Sequence, residues 1–426
     1  MLIRDPIHGD VSFTAAEVQV LDTPAVQRLR GIKQLGTASL VYPGCVHTRF
    51  DHSLGTHAVA KRILEQLRRS GLRIEPGLEQ AIGIAALLHD VTHVPFGHTL
   101  EDERRLFARH DKGTRFVKLF SGRLGDCLAR LGVKDAVEAI LIPGNGGPVP
   151  VWARQVVSST IDADLLDYLR RDSYFAGLAQ DYDDRIFHHF LVEGEQLAIN
   201  MTKHGMERPD ARSETVQLLR MRYFLTERVY YHHTKVAAGA MVSKAVELAH
   251  AYGALDEDVL LDLNDWQLLE RLRCTPRAEA PDARITHLVE RLETRALLKR
   301  GYVISALTVP DAERRALVAR FHEALPTRRA AEETLARALS CDVSEVIVYC
   351  PALTVMKEAA APVRTPSGLL ALNQADRQPQ SEIAALEARY AALWRLYVFV
   401  PEPLVGRAAA PAREIFGYPT EHRDLS

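Results

Sequence analysis

The stretch "LLHDVTHVPFGHTLED", residues 87–102, decides how this chain is read. The aliphatic run "AIGIAALL" (81–88) passes without interruption into His89 and Asp90, and His93, His98 and Glu101 follow closely. Apolar residues at three- and four-residue intervals from Pro76 onward predict a helix ending near Asp90. Pro95 and Gly97 then force a turn. At a helix end adjacent side chains can address one point beside the axis, and the turn can fold His93 and His98 back over it. The sequence therefore predicts several polar groups sharing one cleft.

An acid at the end of an aliphatic helix is costly without a cation to balance it. Imidazole and carboxylate together suit a borderline divalent ion of the transition series better than calcium. One His-Asp pair supplies too few ligands, and two further segments offer more: "HTRFDHSLGTH" (47–57), with His52 opening a helix, and "SSTIDADLLDYLRRD" (158–172). In the second, either Asp162 or Asp164 could serve. Asp164, Tyr168 and Asp172 lie four residues apart and share a helix face, while Leu165, Leu166 and Leu169 form a buried stripe, which favours Asp164. His47, His57 and His204 read as ordinary surface or core histidines.

The rest of the chain sets the frame. At 426 residues it can form two or three domains, or one body with a lobe, and 47% hydrophobic with 25% charged residues is ordinary globular usage. Fifty-three basic residues against 55 acidic ones leave a net charge of -2, so no global field recruits nucleic acid. The basic helix faces in 62–73 and 103–112 lack interleaved aromatics and read as solvated surface. Five scattered cysteines show no zinc or disulfide spacing and fit a reducing cytoplasm. The aliphatic run 81–88 is too short to span a bilayer and the first residues lack a signal core, so a soluble cytoplasmic protein with no membrane partner is expected.

Residues 1–13 suggest a hairpin. Periodicity predicts helices over 14–36, 52–71 and 76–90, the first capped by Thr14 and stopped by Gly36. Pro and Gly mark loops at 143–150 and 274–287, and "FLVEGEQLAINMTKHG" (190–205) suggests an extended pair. Beyond 299, β-branched and aromatic runs at 301–309, 343–353 and 393–402 alternate with helical patterns such as 311–325. The fold class expected is mainly α, with short β-hairpins and a C-terminal α+β lobe, divided into a core over 1–250 and the lobe over 251–426.

Six ordered motifs, "DPIHG", "DTPAVQRLRGIKQLG", "YPG", "TRFDHSLG", "HDVTHVPFGH" and "IDADLLDYLRRDS", make roughly residues 1–240 resemble the deoxynucleoside triphosphate triphosphohydrolase branch of the HD-domain phosphohydrolases. The resemblance implies an HD-domain helical core in which His52, His89, Asp90 and Asp164 hold one divalent transition-metal ion: manganese, iron, nickel or zinc, with magnesium possible. It implies hydrolysis of deoxynucleoside triphosphates to deoxynucleoside and inorganic triphosphate. His93, His98, His110 and Glu101 would then handle protons and phosphate, Arg49 and Arg222 would bind phosphate, and Tyr168 and Asp172 would face the sugar. Gln34 and Leu35 match the pair that reads the 3′-hydroxyl and packs under the ribose, implying deoxy over ribo substrates. Asp22, Gln27 and Arg30 resemble positions that receive an activating nucleotide, and the same residues can serve packing and salt bridges. A homodimer or homotetramer is implied as well.

Two positions depart from the pattern: Leu165 replaces a basic residue after the metal-binding acid, and Thr92 replaces a commoner glycine. The alternatives are an HD-domain phosphodiesterase or nucleotidase acting on another phosphate ester, and a nucleotide-sensing regulator that does not hydrolyse.

Overall fold

Thr48 opens the central helix, Arg49–Arg69. Its hydroxyl accepts from the Asp51 amide (3.3 Å) while the Asp51 carboxylate accepts from the Thr48 amide (2.8 Å), so two otherwise orphaned donors are satisfied together. The next helix, Pro76–Leu88, begins on a proline whose missing N–H costs nothing there and is buried continuously from Ala81 to Leu88. A third, Ala163–Phe175, starts on Asp162, whose carboxylate accepts from Leu165 N (2.8 Å). The first of these helices packs against both of the others. The computed structural model describes all residues except 103, 110–112, 143, 145–146, 148, 275–281, 377–380 and 423–426.

The periodic stretch 14–36 is not one helix. Thr14 and Glu17 form the expected cap, but the chain divides into Ala15–Leu21, Pro24–Gln27 and a 3-10 turn at Arg28–Gly31. Pro24 cannot donate to a continuing ladder and so starts a new turn. The loop expected over 274–287 is also shorter than it reads, because Asp282 caps a helix over Ala283–Glu293.

Hairpins form where expected, Leu2–Asp5 with Gly9–Ser12 and Phe190–Glu193 with Gln196–Asn200. The second joins Pro362–Thr365 and Gly368–Ala371 in a four-stranded sheet, so residues from both sides of position 250 share one sheet. Nearer the C-terminus, Arg395–Val400 lies between Lys299–Ser305 and Ile347–Tyr349 in an antiparallel sheet. The middles of its strands are apolar because both faces are covered there: Val303, Ile347, Tyr397 and Phe399 point into one cluster, and Tyr302, Ile304, Val348, Leu396 and Val398 into another. The fold is mainly α with a small α+β lobe.

Two of the cores bear on function. The first gathers the three helices above. The second is built on the His233–Ala251 and Ala283–Glu293 helices and takes in Val94, Phe96 and Leu100 from the turn after Asp90. Among the described residues no helix is long and apolar enough to cross a membrane.

Candidate metal and phosphate site

The three helices bring His52, His89 and Asp164 together, with one ligand atom of each lying within 4.8 Å of the others. His52 Nε2 lies 2.9 Å from Asp164 Oδ1 and 3.1 Å from His89 Nε2. Asp90 completes the ring, 3.6 Å from His89 Nε2 and 3.9 Å from His52 Nε2. Asp162 is not in the ring. It caps the helix from a buried position, while the Asp164 side chain is 37% exposed and opens toward the cleft.

The tautomers decide what this cluster can hold. His52 Nδ1 lies 2.7 Å from Asp167 Oδ2, and His89 Nδ1 lies 2.8 Å from the Ala86 carbonyl. Both partners are acceptors, so each Nδ1 keeps its proton and each Nε2 is the nitrogen that could present a lone pair to an ion at the same point. Two lone pairs and a carboxylate oxygen facing one another need a cation between them, and this mixed nitrogen and oxygen set suits a divalent transition ion. The residues fit a metal.

The electrostatics agree. Burial disfavours charge on His52, but the hydrogen bonds it donates to Asp164 and Asp167 push its pKa up to about 10, so a bound ion would replace a proton the site already attracts. Burial would also raise Asp164, yet hydrogen bonds from His52 and His89 hold it well below the usual carboxylate range. Asp90 is held low against burial chiefly by Arg49, whose Nη1 donates to Oδ2 at 2.5 Å. Gly97, at φ +57°, leaves room for that guanidinium where any side chain would collide with it. Asp162 is raised by burial and by the neighbouring Asp164 charge.

On one side of the ring, His93 Nε2 stands 3.1 Å from Asp90, and the rings of His93 and His98 meet edge to face at 4.7 Å. His98 is half exposed. Asp102 stands nearer to its Nδ1 (3.1 Å) than Glu101 does (3.9 Å), and Glu101 is paired with the buried Arg115. Against burial, the hydrogen bond from His98 lowers Asp102 to about 2. His93, His98 and Glu101 form a second group of metal-binding residue types, but the Arg115 guanidinium already neutralises Glu101, which favours anion and proton chemistry there. His110 lies outside the described residues.

On the other side, the Arg222 guanidinium lies 5.4 Å from the ring centres of both Tyr168 and Tyr230. Asp172 does not face open space; it is buried between Tyr230 Oη (2.5 Å) and His47 Nε2 (2.9 Å). The Gln34 side-chain oxygen is buried with no hydrogen-bond partner among the described residues, and Leu35 packs beside it on the first core. Leu165 and Thr92 are both buried, so neither presents a side chain to phosphate. Gln27 and Arg30 bond each other (2.9 Å), and Arg30 stacks on Phe50 at 3.6 Å, giving them a packing role.

The sequence reading missed the residues behind the ligands. Asp167 receives His52 Nδ1, His8 Nε2 (2.6 Å) and both ends of Arg171, and Arg171 in turn reaches Asp5. The available hint was "DPIHG", a motif with no chemistry of its own until folding places it against Asp167. His47 read as an ordinary histidine, and nothing local marks its bond to Asp172. His57, also read that way, is a buried partner of Glu17 (2.9 Å), and His204 is an exposed turn residue.

The chain matches the family model for the HD domain over residues 49–172, which contains all four residues of the ring, and the model for the HD associated region over 213–425. The chain belongs to the HD-domain family that carries this associated region. Among relatives of this HD-domain protein, an uncharacterized protein of Methanocaldococcus jannaschii is 31% identical over 305 residues, covering 70% of this chain and 58% of the relative. The deoxynucleoside triphosphate triphosphohydrolase SAMHD1 of Bos taurus is 28% identical over 348 residues, again covering 70% and 58%. The chain spans about half the length of the curated relatives it matches. A crystal structure of a phosphohydrolase from Bacteroides thetaiotaomicron shares the fold with a TM-score of 0.67 at 22% identity, covering 94% of this chain and all of that one.

Proposed function

We propose that this HD-domain protein hydrolyses deoxynucleoside triphosphates to deoxynucleoside and inorganic triphosphate, with one divalent ion held by His52, His89, Asp90 and Asp164. The observation that carries the metal-dependent reading is the pair of Nε2 atoms 3.1 Å apart, each with its Nδ1 proton fixed by an acceptor behind it. Deoxynucleoside triphosphate as the substrate draws support from the activity for which the Bos taurus relative is named and from the buried oxygen of Gln34, unpartnered among the described residues, which suits a sugar hydroxyl. Manganese, iron, nickel or zinc fits the donor set best, and magnesium is an outcome of the same test.

A bound divalent ion supplies Lewis-acid charge to the phosphate and lowers the pKa of water. The chain's own groups do the rest. Arg49 balances Asp90 and presents its remaining donors toward the phosphate side, while Arg222 fixes the triphosphate against Tyr168. Water oxygen adds at the α-phosphorus, the bond to the 5′ oxygen breaks, and the half-exposed His98, held by Asp102, supplies the proton to that oxygen; the proton released by the water returns to the group that His98 forms with His93, His110 and Glu101. Gln34 and Leu35 close on the sugar and select deoxyribose. The surface of Asp22, Gln27 and Arg30 is the candidate place for an activating nucleotide, and we expect a homodimer or homotetramer.

Chromatographic product analysis with dNTPs and NTPs, each with Mn²⁺, Fe²⁺, Ni²⁺, Zn²⁺ or Mg²⁺, tests the proposal. Triphosphate plus deoxynucleoside, absent in His89→Ala, is expected. Stepwise monophosphate release would identify a nucleotidase or phosphodiesterase, an outcome that the loss of a basic residue at Leu165 makes worth measuring. Saturable nucleotide binding without turnover would identify a regulator.

A further inference from the structure

Two of the segments that make the cleft meet a short piece of chain from outside the HD helices. Asp265, the first residue of the Asp265–Arg273 helix, is buried and lies in the HD associated region. Its Oδ2 accepts from Lys33 N (3.0 Å) and its Oδ1 from Phe96 N (2.7 Å). Lys33 immediately precedes Gln34 and Leu35, the candidate sugar-reading pair. Phe96 lies between His93 and His98. One carboxylate thus ties the two sides of the cleft together by their backbones.

The surroundings show that this is a built contact. Phe96 has φ +61°, a left-handed conformation that a bulky side chain avoids, and its amide is fixed there by Asp265. The segments on either side of the carboxylate also touch: a Cβ on Gly36 would stand 3.2 Å from the Phe96 carbonyl. Asn264 packs so tightly on Gly31 that any side chain there would collide with it, and Trp266 stacks under the Lys33 ammonium at 4.7 Å. Arg28 makes the reciprocal link, donating to Leu263 O (2.9 Å), Val91 O (3.0 Å) and His93 O (2.8 Å). None of these contacts involves His52, His89, Asp90 or Asp164.

We propose that Asp265 is a positioning residue of the cleft, holding the Lys33–Leu35 segment and the histidine turn at one separation, so that the HD associated region sets substrate geometry while the metal ring assembles without it. The substrate readout of this proposal rests on the dNTP-hydrolase reading above; its structural readout does not. An acceptor-only carboxylate fits two amide donors, whereas in Asp265→Asn the amide group would oppose one of them.

The test uses the full chain and reads three quantities: Mn²⁺ affinity by electron paramagnetic resonance, amide exchange by segment, and kcat/KM for a dNTP and its matching NTP. For Asp265→Asn we expect exchange to accelerate by about tenfold or more over residues 32–36 and 95–98 but not over 49–60 or 163–175. Mn²⁺ affinity should stay within about threefold of wild type, while kcat/KM for the dNTP falls by at least about tenfold and the dNTP-over-NTP preference narrows. Arg28→Lys, which keeps the charge but loses the fork, should loosen 91–93 in the same selective way. Unchanged exchange at both segments would overturn the proposal, as would acceleration that spreads to the ligand helices with loss of Mn²⁺. Should wild type turn over no nucleotide while the exchange and Mn²⁺ results hold, the positioning role stands and the proposed activity falls.

Discussion

The metal ring and the histidine turn are neighbours built on different foundations. The ring stands on three helices of the first core, and its candidate ligands His52 and His89 are oriented from behind by Asp167, with His8 and Arg171 in support, and by the Ala86 carbonyl. The turn that carries His93, His98 and Glu101 is anchored in the second core through Val94, Phe96 and Leu100. Just beyond it, Arg104 is fully buried between Glu247 (3.0 Å) and Glu332 (2.8 Å), and Arg328 donates to its carbonyl at 2.6 Å. The difference teaches that ion binding and proton transfer should be largely separable, because the two regions have separate supports and meet only where His93 stands 3.1 Å from Asp90 and Arg49 passes against Gly97.

The largest effect expected is from His89→Ala. Losing a ligand forfeits charge stabilisation worth several kcal/mol, so turnover should fall by roughly 10³-fold or more, and elemental analysis should find the metal gone. His98→Ala should separate the two regions: kcat falls by about 10²- to 10⁴-fold, the range of general acid catalysis, while Mn²⁺ titration is unchanged. Loss of metal in that variant would break the comparison. Asp167→Asn should do the reverse in milder form, weakening Mn²⁺ affinity by about 10- to 100-fold without loosening the histidine turn. Calorimetric titration reads the affinity directly.

The smallest effect on either region is expected from Glu17, whose buried carboxylate pairs with His57 and Lys61 rather than with any group of the ring or the turn. Burial works against its charge, but His57, Thr14 and Lys61 lower its pKa from 4.5 to about 2. A carboxylate lowered on folding stabilises the fold fully above its unfolded pKa, and that contribution is lost as pH falls from 4.5 through about 2. Glu17→Gln should therefore remove about 3 kcal/mol at neutral pH, an order-of-magnitude figure, and flatten the acid limb of the stability curve. Denaturant melts from pH 2 to pH 7 check this; an unchanged acid limb would mean that another group carries it.

Much of this was legible in the residues themselves. The helix cap at Thr14, the buried stripe of Leu165, Leu166 and Leu169, and the shared face of Asp164 and Tyr168 follow from spacing, because a helix fixes which residues are neighbours over one or two turns, whereas the helix read as opening at His52 begins three residues earlier, on the Thr48 cap. The break at Pro24 was legible too but was outweighed by a strong apolar period. Asp172 was placed on the right face and still misread, since the partners that bury it, His47 and Tyr230, come from other segments.

The sequence by itself determined the donor types, their order along the chain and the helices that carry them, since these depend on contacts a few residues apart. Only the tertiary structure decided which nitrogen of each histidine keeps its proton, that Asp162 caps while Asp164 faces the cleft, and that Asp265 reaches back 232 positions to hold Lys33. The reason is physical: a hydrogen bond between distant segments is fixed by how helices pack, and packing is a property of the whole core that no local spacing records.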